Sequence, residues 1–105
     1  MNVYLLVHRA PVNYTGAAAT AAAWKAWFEE LGPNLVDRGN AVFDRTAVGT
    51  TGSDLPLGGY TIVTAESVDA AIALAESCPV LAAGGGVEVG TLTAVPGHQH
   101  PARTF

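Results

Sequence analysis

Histidine at position 8 is the residue best suited to acid-base chemistry. It ends a short apolar run near the N-terminus, and an imidazole titrates near neutral pH, so it can donate or accept a proton. Asp37 is the second candidate, because its carboxylate could orient His8 if the first two strands bring them together. We take His8 and Asp37 as the candidate catalytic residues. Each also has a structural interpretation, as a strand-end histidine bonded to a carbonyl and a turn aspartate bonded to its own backbone.

Four further side chains could contact a small ligand. Arg9 and Arg38 could hold an acidic group through paired hydrogen bonds. Asp54 and Tyr60 could line the same cavity, from a loop and from the third strand. We expect Tyr60, Arg9 and Asp54 to be ligand-binding residues, although Tyr60 also suits a core position with its hydroxyl at the rim.

Metal and cofactor signals are weak. His98 and His100 would point the same way on an extended chain, but two ligands do not make a metal site, and they lie in a proline-containing tail. Cys78 is the single cysteine, which excludes an intrachain disulfide and a cysteine-based zinc site. We expect it to be a small core residue, and we expect no metal and no cofactor.

Three consecutive glycines, residues 84–86, raise the question of a phosphate-binding loop. Such a loop needs glycines after a strand and before a helix, where backbone amides and the helix dipole face the phosphate. Here the glycines follow a helical stretch and precede a strand. The sequence therefore predicts a bend and argues against a nucleotide site.

The composition limits the classes of partner. The 105 residues carry a net charge of -4, and the five basic residues are scattered, so we expect no nucleic acid and no membrane surface as partner. Only 13% of residues are charged, against roughly 25% in typical domains. We infer that part of the surface is covered in a homodimer. The N-terminal apolar run is too short for a signal peptide, so a cytoplasmic location is expected.

Periodicity predicts the order strand, helix, strand, strand, helix, strand. The strands are expected at residues 3–8, 35–43, 59–65 and 87–95, and the helices at residues 17–31 and 68–78. This order is typical of the α+β ferredoxin-like βαββαβ fold, an antiparallel sheet with two helices on one face. We expect residues 1–95 to form a single domain and residues 96–105 a C-terminal tail.

Both helices carry apolar residues at helical spacing. Trp24, Trp27 and Phe28 form a stripe on the first helix, which we interpret as core or dimer contact before a ligand site. On the second helix we expect Val68, Ile72, Leu74 and Ala75 to point inward.

A longer stretch resembles a known family. Residues 57–89, LGGYTIVTAESVDAAIALAESCPVLAAGGGVEV, resemble the YCII-related family, specifically its DGPF group, in the GGY strand, the serine-capped alanine-rich helix, the Cys-Pro stop and the glycine turn. The opening MNVYLLVH resembles the family's first strand. The resemblance implies a dimeric α+β barrel, in which two ferredoxin-like units join through their sheets.

Two departures from the family pattern stand out. The Asp-Gly-Pro-Phe tetrapeptide is absent, and TTGSDLPLGGY is a shortened substitute. Some relatives carry a catalytic His-Asp pair with the histidine on the first helix, where this chain has Trp24, Lys25 and Trp27. Genes of the group are often found beside alternative sigma factors, which implies a regulatory setting.

Two functions remain open at this point. The first is a homodimeric domain that binds a small aromatic or acidic molecule between sheet and helices, with proton transfer by His8 as the chemistry if it is an enzyme. The alternative is a non-enzymatic module that dimerises or accompanies another protein and has no site. A deep pocket with polar groups would favour the first.

Overall fold

The computed structural model describes residues 1–14, 18–52 and 54–94. The expected tail at 96–105, with His98 and His100, lies outside the described residues. In chain order the elements are β1 (Asn2–Arg9), α1 (Ala18–Leu31), a short 3-10 helix (Gly32–Asn34), β2 (Leu35–Asp37), β3 (Leu57–Ala65), α2 (Val68–Ala75), α3 (Pro79–Ala82) and β4 (Gly86–Thr91).

The four strands form one antiparallel sheet in the order β2-β3-β1-β4. The two central strands, β1 and β3, are rich in β-branched and aromatic residues, which favour a pleated, buried position. Their register places Tyr4 opposite Val63 and Leu6 opposite Thr61. This topology confirms the predicted ferredoxin-like α+β fold.

The two faces of the sheet differ in what covers them. Tyr4, Leu6 and His8 alternate along β1 and are buried on the face that carries the helices. Val3, Leu5 and Val7 point the other way and are only half-buried, and Leu5 lies opposite Ile62 of β3. We call Val3, Leu5, Val7 and Ile62 the open face, because no helix in the described parts of the chain packs on it.

The core lies between the sheet and the helices. Trp27 and Leu31 of α1 pack with Val63 of β3, and α2 contributes Ala71 and Ala75. The expectation that α2 points inward was right for Ala75 and Leu74, which lie in or against the core, and wrong for Val68 and Ile72, which are 47% and 42% exposed. Alanines let α2 approach the sheet closely, and a helix that is apolar around most of its circumference does not reveal its buried side by pattern alone.

The second helix begins as predicted and ends earlier. The Ser67 hydroxyl accepts a hydrogen bond from the Ala70 amide at 3.2 Å, which caps α2. The helix stops at Ala75 rather than at residue 78. Pro79 starts α3 instead of ending the longer helix, because proline is well suited to the first position of a helix.

The glycine triplet is a bend into β4. Gly84 has a φ of +89°, and a Cβ on Gly85 would lie 2.2 Å from the Arg9 carbonyl oxygen. Glycine is therefore required for conformation at the first position and for close approach at the second. The triplet follows α3 and leads into a strand, as predicted.

The segment from residue 38 to residue 56 carries no helix and no named strand in its described part. It stays close to β3 through an isolated bridge between Ala41 and Gly59, and the Val42 amide donates to the Gly58 carbonyl at 3.1 Å. The segment is thereby held beside the end of β1, where His8 lies. None of the helices in the described residues has the length and apolar content needed to cross a membrane.

Candidate functional site

A cavity of about 380 Å³ opens between α1, the end of β1 and the segment after β2. Most of its wall is apolar, and it is formed by small residues and by five aromatic residues besides His8, namely Tyr14, Trp24, Phe28, Phe43 and Tyr60. Its lining includes Ala21, Trp24 and Phe28 of α1, His8 of β1, and Tyr60 and Thr61 of β3. We call it the aromatic cavity.

His8 is held at the wall of the aromatic cavity by two buried hydrogen bonds. Its Nε2 lies 2.8 Å from Thr61 Oγ1, and its Nδ1 lies 3.6 Å from Cys78 Sγ. The Thr61 hydroxyl donates to the Arg38 carbonyl oxygen at 3.2 Å. Because that hydroxyl has one proton, it accepts from His8, so Nε2 carries the imidazole proton and Nδ1 accepts from the thiol.

Burial keeps both His8 and Cys78 uncharged. Desolvation lowers the pKa of His8 to about 4, so its imidazole is neutral at neutral pH. Desolvation raises the pKa of the Cys78 thiol to about 11, and a hydrogen bond from the Val80 backbone opposes part of that rise. The pair therefore supplies polar groups to the site but no charge.

Two tryptophans enclose the imidazole. The ring centroids of Trp24 and Trp27 lie 5.1 and 5.8 Å from that of His8, both in edge-on geometry. The Trp24 indole Nε1 donates to the Tyr14 hydroxyl, and Trp27 Nε1 donates to the Leu74 carbonyl at 3.1 Å. Each indole is thereby fixed in orientation, Trp24 in the wall of the aromatic cavity and Trp27 behind it.

The segment after β2 brings positive charge to the cavity. The Arg38 guanidinium carbon lies 5.2 Å from the centroid of the Phe28 ring, within range of a cation-π contact. Arg45 Nη1 donates to the Val42 carbonyl at 3.0 Å. Both arginines are exposed, and both line the aromatic cavity.

The structure gives His8 and Asp37 different partners. The expected pairing required neighbouring strands, but β3 lies between β1 and β2. Asp37 Oδ1 instead accepts a hydrogen bond from the Gly39 amide at 2.8 Å, a turn stabilised by its own side chain. Asp37 does not line the aromatic cavity.

The three candidate ligand-binding residues are also separated. Tyr60 lines the aromatic cavity, and its hydroxyl accepts from Asn40 Nδ2 at 2.9 Å. Arg9 is 3.0 Å from the Glu88 carboxylate and lies outside the lining. Asp54 is exposed and lies outside it too. In the described residues, no group of three His, Cys, Asp or Glu side chains could hold a metal ion.

Sequence reasoning did not identify Thr61 and Arg45 as site residues, and it assigned Trp24 to core or dimer contact. The alternation of β3 places Thr61 on the same face as Val63, which marks it as inward-facing. Only the register between β1 and β3 shows that Thr61 lies diagonally across from His8. No local signal distinguishes Arg45, since its position depends on the path of an irregular segment.

No protein-family model and no curated protein matches the sequence. A solved structure does match in fold. It is 5-chloro-2-hydroxyhydroquinone dehydrochlorinase from Burkholderia phenoliruptrix, in complex with 2,5-dihydroxybenzoquinone, with a TM-score of 0.63 and 20% identity over 92% of this chain and 99% of that one. At this identity the likeness shows a shared fold over nearly the whole of both chains.

The arrangement suits a small planar molecule. Aromatic rings offer stacking surfaces, and the polar groups are few and fixed by internal hydrogen bonds. A neutral imidazole can exchange one of its internal partners for a ligand atom. The positive charge that the site offers comes from the arginines and not from His8.

Proposed function

We propose that this chain binds one small planar aromatic molecule in the aromatic cavity. The observation that carries the proposal is a cavity of about 380 Å³ lined by the aromatic residues Tyr14, Trp24, Phe28 and Phe43. Ligand sites are typically concave, mostly apolar and about 300 to 1,000 Å³ in volume, with a few fixed polar groups. The cavity supports ligand binding over a module that has no site.

The structural neighbour supports a ligand of this kind. It carries 2,5-dihydroxybenzoquinone, a single six-membered ring with oxygen substituents. A ring of that size fits the aromatic cavity, where Trp24 and Phe28 provide stacking surfaces and His8 and Asn40 provide hydrogen-bonding groups. We therefore propose hydroxylated benzene or quinone rings as the ligand class.

Two-dimensional ¹H-¹⁵N NMR of the indole Nε1-H signals tests the proposal, because the chain has two tryptophans. Trp24 lines the cavity, whereas Trp27 is 2% exposed and lies behind it. Titration with 2,5-dihydroxybenzoquinone, and separately with hydroquinone, should shift the Trp24 signal saturably and shift the Trp27 signal less. If neither compound shifts the Trp24 signal saturably at millimolar concentration, the proposal is contradicted.

Matched variants on α1 localise the binding. Ala21 lines the aromatic cavity, and the adjacent Ala22 is exposed and does not line it. Ala21→Phe should fill part of the cavity and weaken binding at least about tenfold, since steric exclusion removes the stacking contact. Ala22→Phe carries the same change of residue type in the same helix and should bind as the unmodified chain does.

Acid-base catalysis by His8 is a second candidate function. It is supported by a neutral imidazole at the cavity wall and by the enzymatic activity of the neighbour. In this proposal Thr61 holds the ring, and Nδ1 takes a proton from the ligand once the Cys78 thiol turns away from it. Asp37 takes no direct part in this step, because its carboxylate accepts from the Gly39 amide outside the cavity lining.

Hydrogen exchange of a bound ligand tests the second candidate. The ring C-H hydrogens of 2,5-dihydroxybenzoquinone exchange with D₂O only through proton transfer, which ¹H NMR follows directly. Catalysis by His8 predicts faster exchange with the protein than with buffer alone, and loss of that acceleration in His8→Gln. Equal rates in the two proteins would remove the catalytic role and leave the binding proposal intact.

We also propose that the chain is a YCII-related protein that forms a homodimer through the open face. The pattern over residues 57–89 and the ferredoxin-like topology support the family. The charged fraction of 13% and the half-buried Val3, Leu5 and Val7 on the open face support the dimer.

A further inference from the structure

The aromatic cavity is positively charged in an acidic protein. The chain has five Lys and Arg residues and a net charge of -4, yet two of the five, Arg38 and Arg45, line this one cavity. The described part of the lining contains no Asp and no Glu. A cavity of this kind concentrates positive potential where the rest of the chain is negative.

Among the residues that the structure describes, neither arginine forms an ion pair with a carboxylate. In the described stretches, the ion pairs join Arg9 to Glu88 and Lys25 to Glu29, and neither includes Arg38 or Arg45. Arg38 rests on the Phe28 ring, 5.2 Å from its centroid. That contact leaves the N-H groups of its guanidinium available.

The second arginine is oriented by one hydrogen bond. Arg45 uses Nη1 to donate to the Val42 carbonyl at 3.0 Å. A guanidinium has five N-H donors in a planar fork, so several remain for a ligand. Two guanidinium groups at one aromatic cavity match an anion with several oxygens, because such pairs form parallel charge-assisted hydrogen bonds.

We propose that the aromatic cavity selects a planar ring that carries an acidic group, a carboxylate or an ionised enol, which Arg38 and Arg45 bind at the cavity mouth. This rests on the proposed binding function and adds the charge of the ligand to it. The ring stacks against Trp24 and Phe28, and its acidic group points toward the segment after β2. His8 faces the ring without charge and does not compete for the anion.

An isosteric pair of probes tests the selection. 4-Hydroxybenzoate and 4-hydroxybenzamide have nearly the same shape and differ in charge. Isothermal titration calorimetry should give a dissociation constant for the benzoate at least about tenfold lower than that for the benzamide. Raising the salt concentration should weaken benzoate binding and leave benzamide binding nearly unchanged, because ions screen exposed charges.

Variants assign the preference to the two arginines. Arg38→Gln and Arg45→Gln should each lower the benzoate-to-benzamide ratio at least about threefold, and Arg38→Lys should retain part of it, because lysine keeps the charge without the planar fork. Lys25→Gln removes the same charge from an exposed site outside the lining and should leave the ratio unchanged. Thermal unfolding followed by circular dichroism identifies any variant whose fold is lost. If Arg38→Gln does not fold, the benzoate-to-benzamide ratio of Arg45→Gln tests the assignment.

The outcomes separate the two proposals. Equal affinity for the two probes in the unmodified chain, or tighter binding of the benzamide, overturns the selection for an acidic group while the binding function stands. A ratio that falls as much in Lys25→Gln as in Arg38→Gln also overturns it, because the preference would then reflect net charge. Absence of binding for both probes overturns the selection together with the binding function for this class of ring.

Discussion

His8 Nε2 lies 2.8 Å from Oγ1 of Thr61, which is diagonally across from it on the neighbouring strand. The same hydroxyl donates to the Arg38 carbonyl oxygen at 3.2 Å. One threonine therefore joins the buried imidazole to the segment that carries the cavity's positive charge. That hydroxyl group is the one side-chain link in the described residues that joins His8 directly to the segment after β2.

Replacing Thr61 with valine should destabilise the fold by about 1 to 3 kcal/mol. Valine keeps the shape of the side chain but leaves the His8 Nε2-H and the Arg38 carbonyl without this partner, and an unpaired buried polar group costs that amount. Urea unfolding followed by circular dichroism measures the change.

Thr64→Val is the matched control for that prediction. Thr64 lies on the same strand and donates to the Asn34 carbonyl over a longer distance of 3.4 Å, in a half-buried position. Its replacement should cost less than half as much as Thr61→Val, and Thr61→Ser should restore most of the loss. Equal decreases in the free energy of unfolding of Thr61→Val and Thr64→Val would contradict a larger contribution of the His8 hydrogen bonds to stability.

The fold was predictable from the sequence because its signals are local. Alternation in β1 and β3, the Ser67 cap and the glycine bend each depend on a few neighbouring residues. The partners of His8 are not local. Thr61 is 53 residues away and Cys78 is 70 residues away along the chain, so only the strand register and the turn before α3 bring them together.

Lowering the pH should destabilise the protein through His8. Burial lowers its pKa to about 4 from 6.5, so between these values the unfolded chain binds a proton at this residue and the folded chain does not. Stability contributed by His8 is therefore complete above about pH 6.5, falls as the pH drops toward 4, and changes no further below that. The full effect is on the order of 3 kcal/mol.

Comparison with His8→Gln isolates that contribution from the carboxylates that titrate in the same range. The free energy of unfolding, measured by urea titration from pH 7 to pH 4, should fall more steeply in the unmodified chain than in the variant. Parallel curves for the two proteins would mean that His8 is protonated with its ordinary pKa in the folded state.

Cys78 should resist alkylation while the protein is folded. Its side chain is 2% exposed, and burial raises the pKa of its thiol from 9.0 to about 11, which alone lowers the reactive thiolate fraction by about 100-fold at pH 8. Mass spectrometry of the iodoacetamide adduct gives the rate without ambiguity, because the chain has one cysteine. A folded-state rate within tenfold of the rate in urea would contradict the buried position.

The candidate site was only partly predictable, because local sequence signals give the direction of side chains in regular strands and not in irregular segments. His8 and Tyr60 lie in regular strands, where alternation gives their direction. Asp54 and Arg45 lie in a segment without named strands or helices, where no periodicity constrains the path of the chain. Asp37 was expected beside His8, but the insertion of β3 between β1 and β2 depends on long-range pairing.

The open face should join two copies of the chain. Multi-angle light scattering at micromolar concentration should give twice the chain mass of 10.7 kDa, because Leu5 and its neighbours present apolar surface that no helix in the described residues covers. Leu5→Arg places a charge at the centre of that face and should yield the monomer. Ile72→Arg makes the same kind of change on α2, where the side chain is 42% exposed, and should remain dimeric. A monomer in the unmodified chain would remove the dimer, and dissociation by Ile72→Arg alone would move the interface to the helical side.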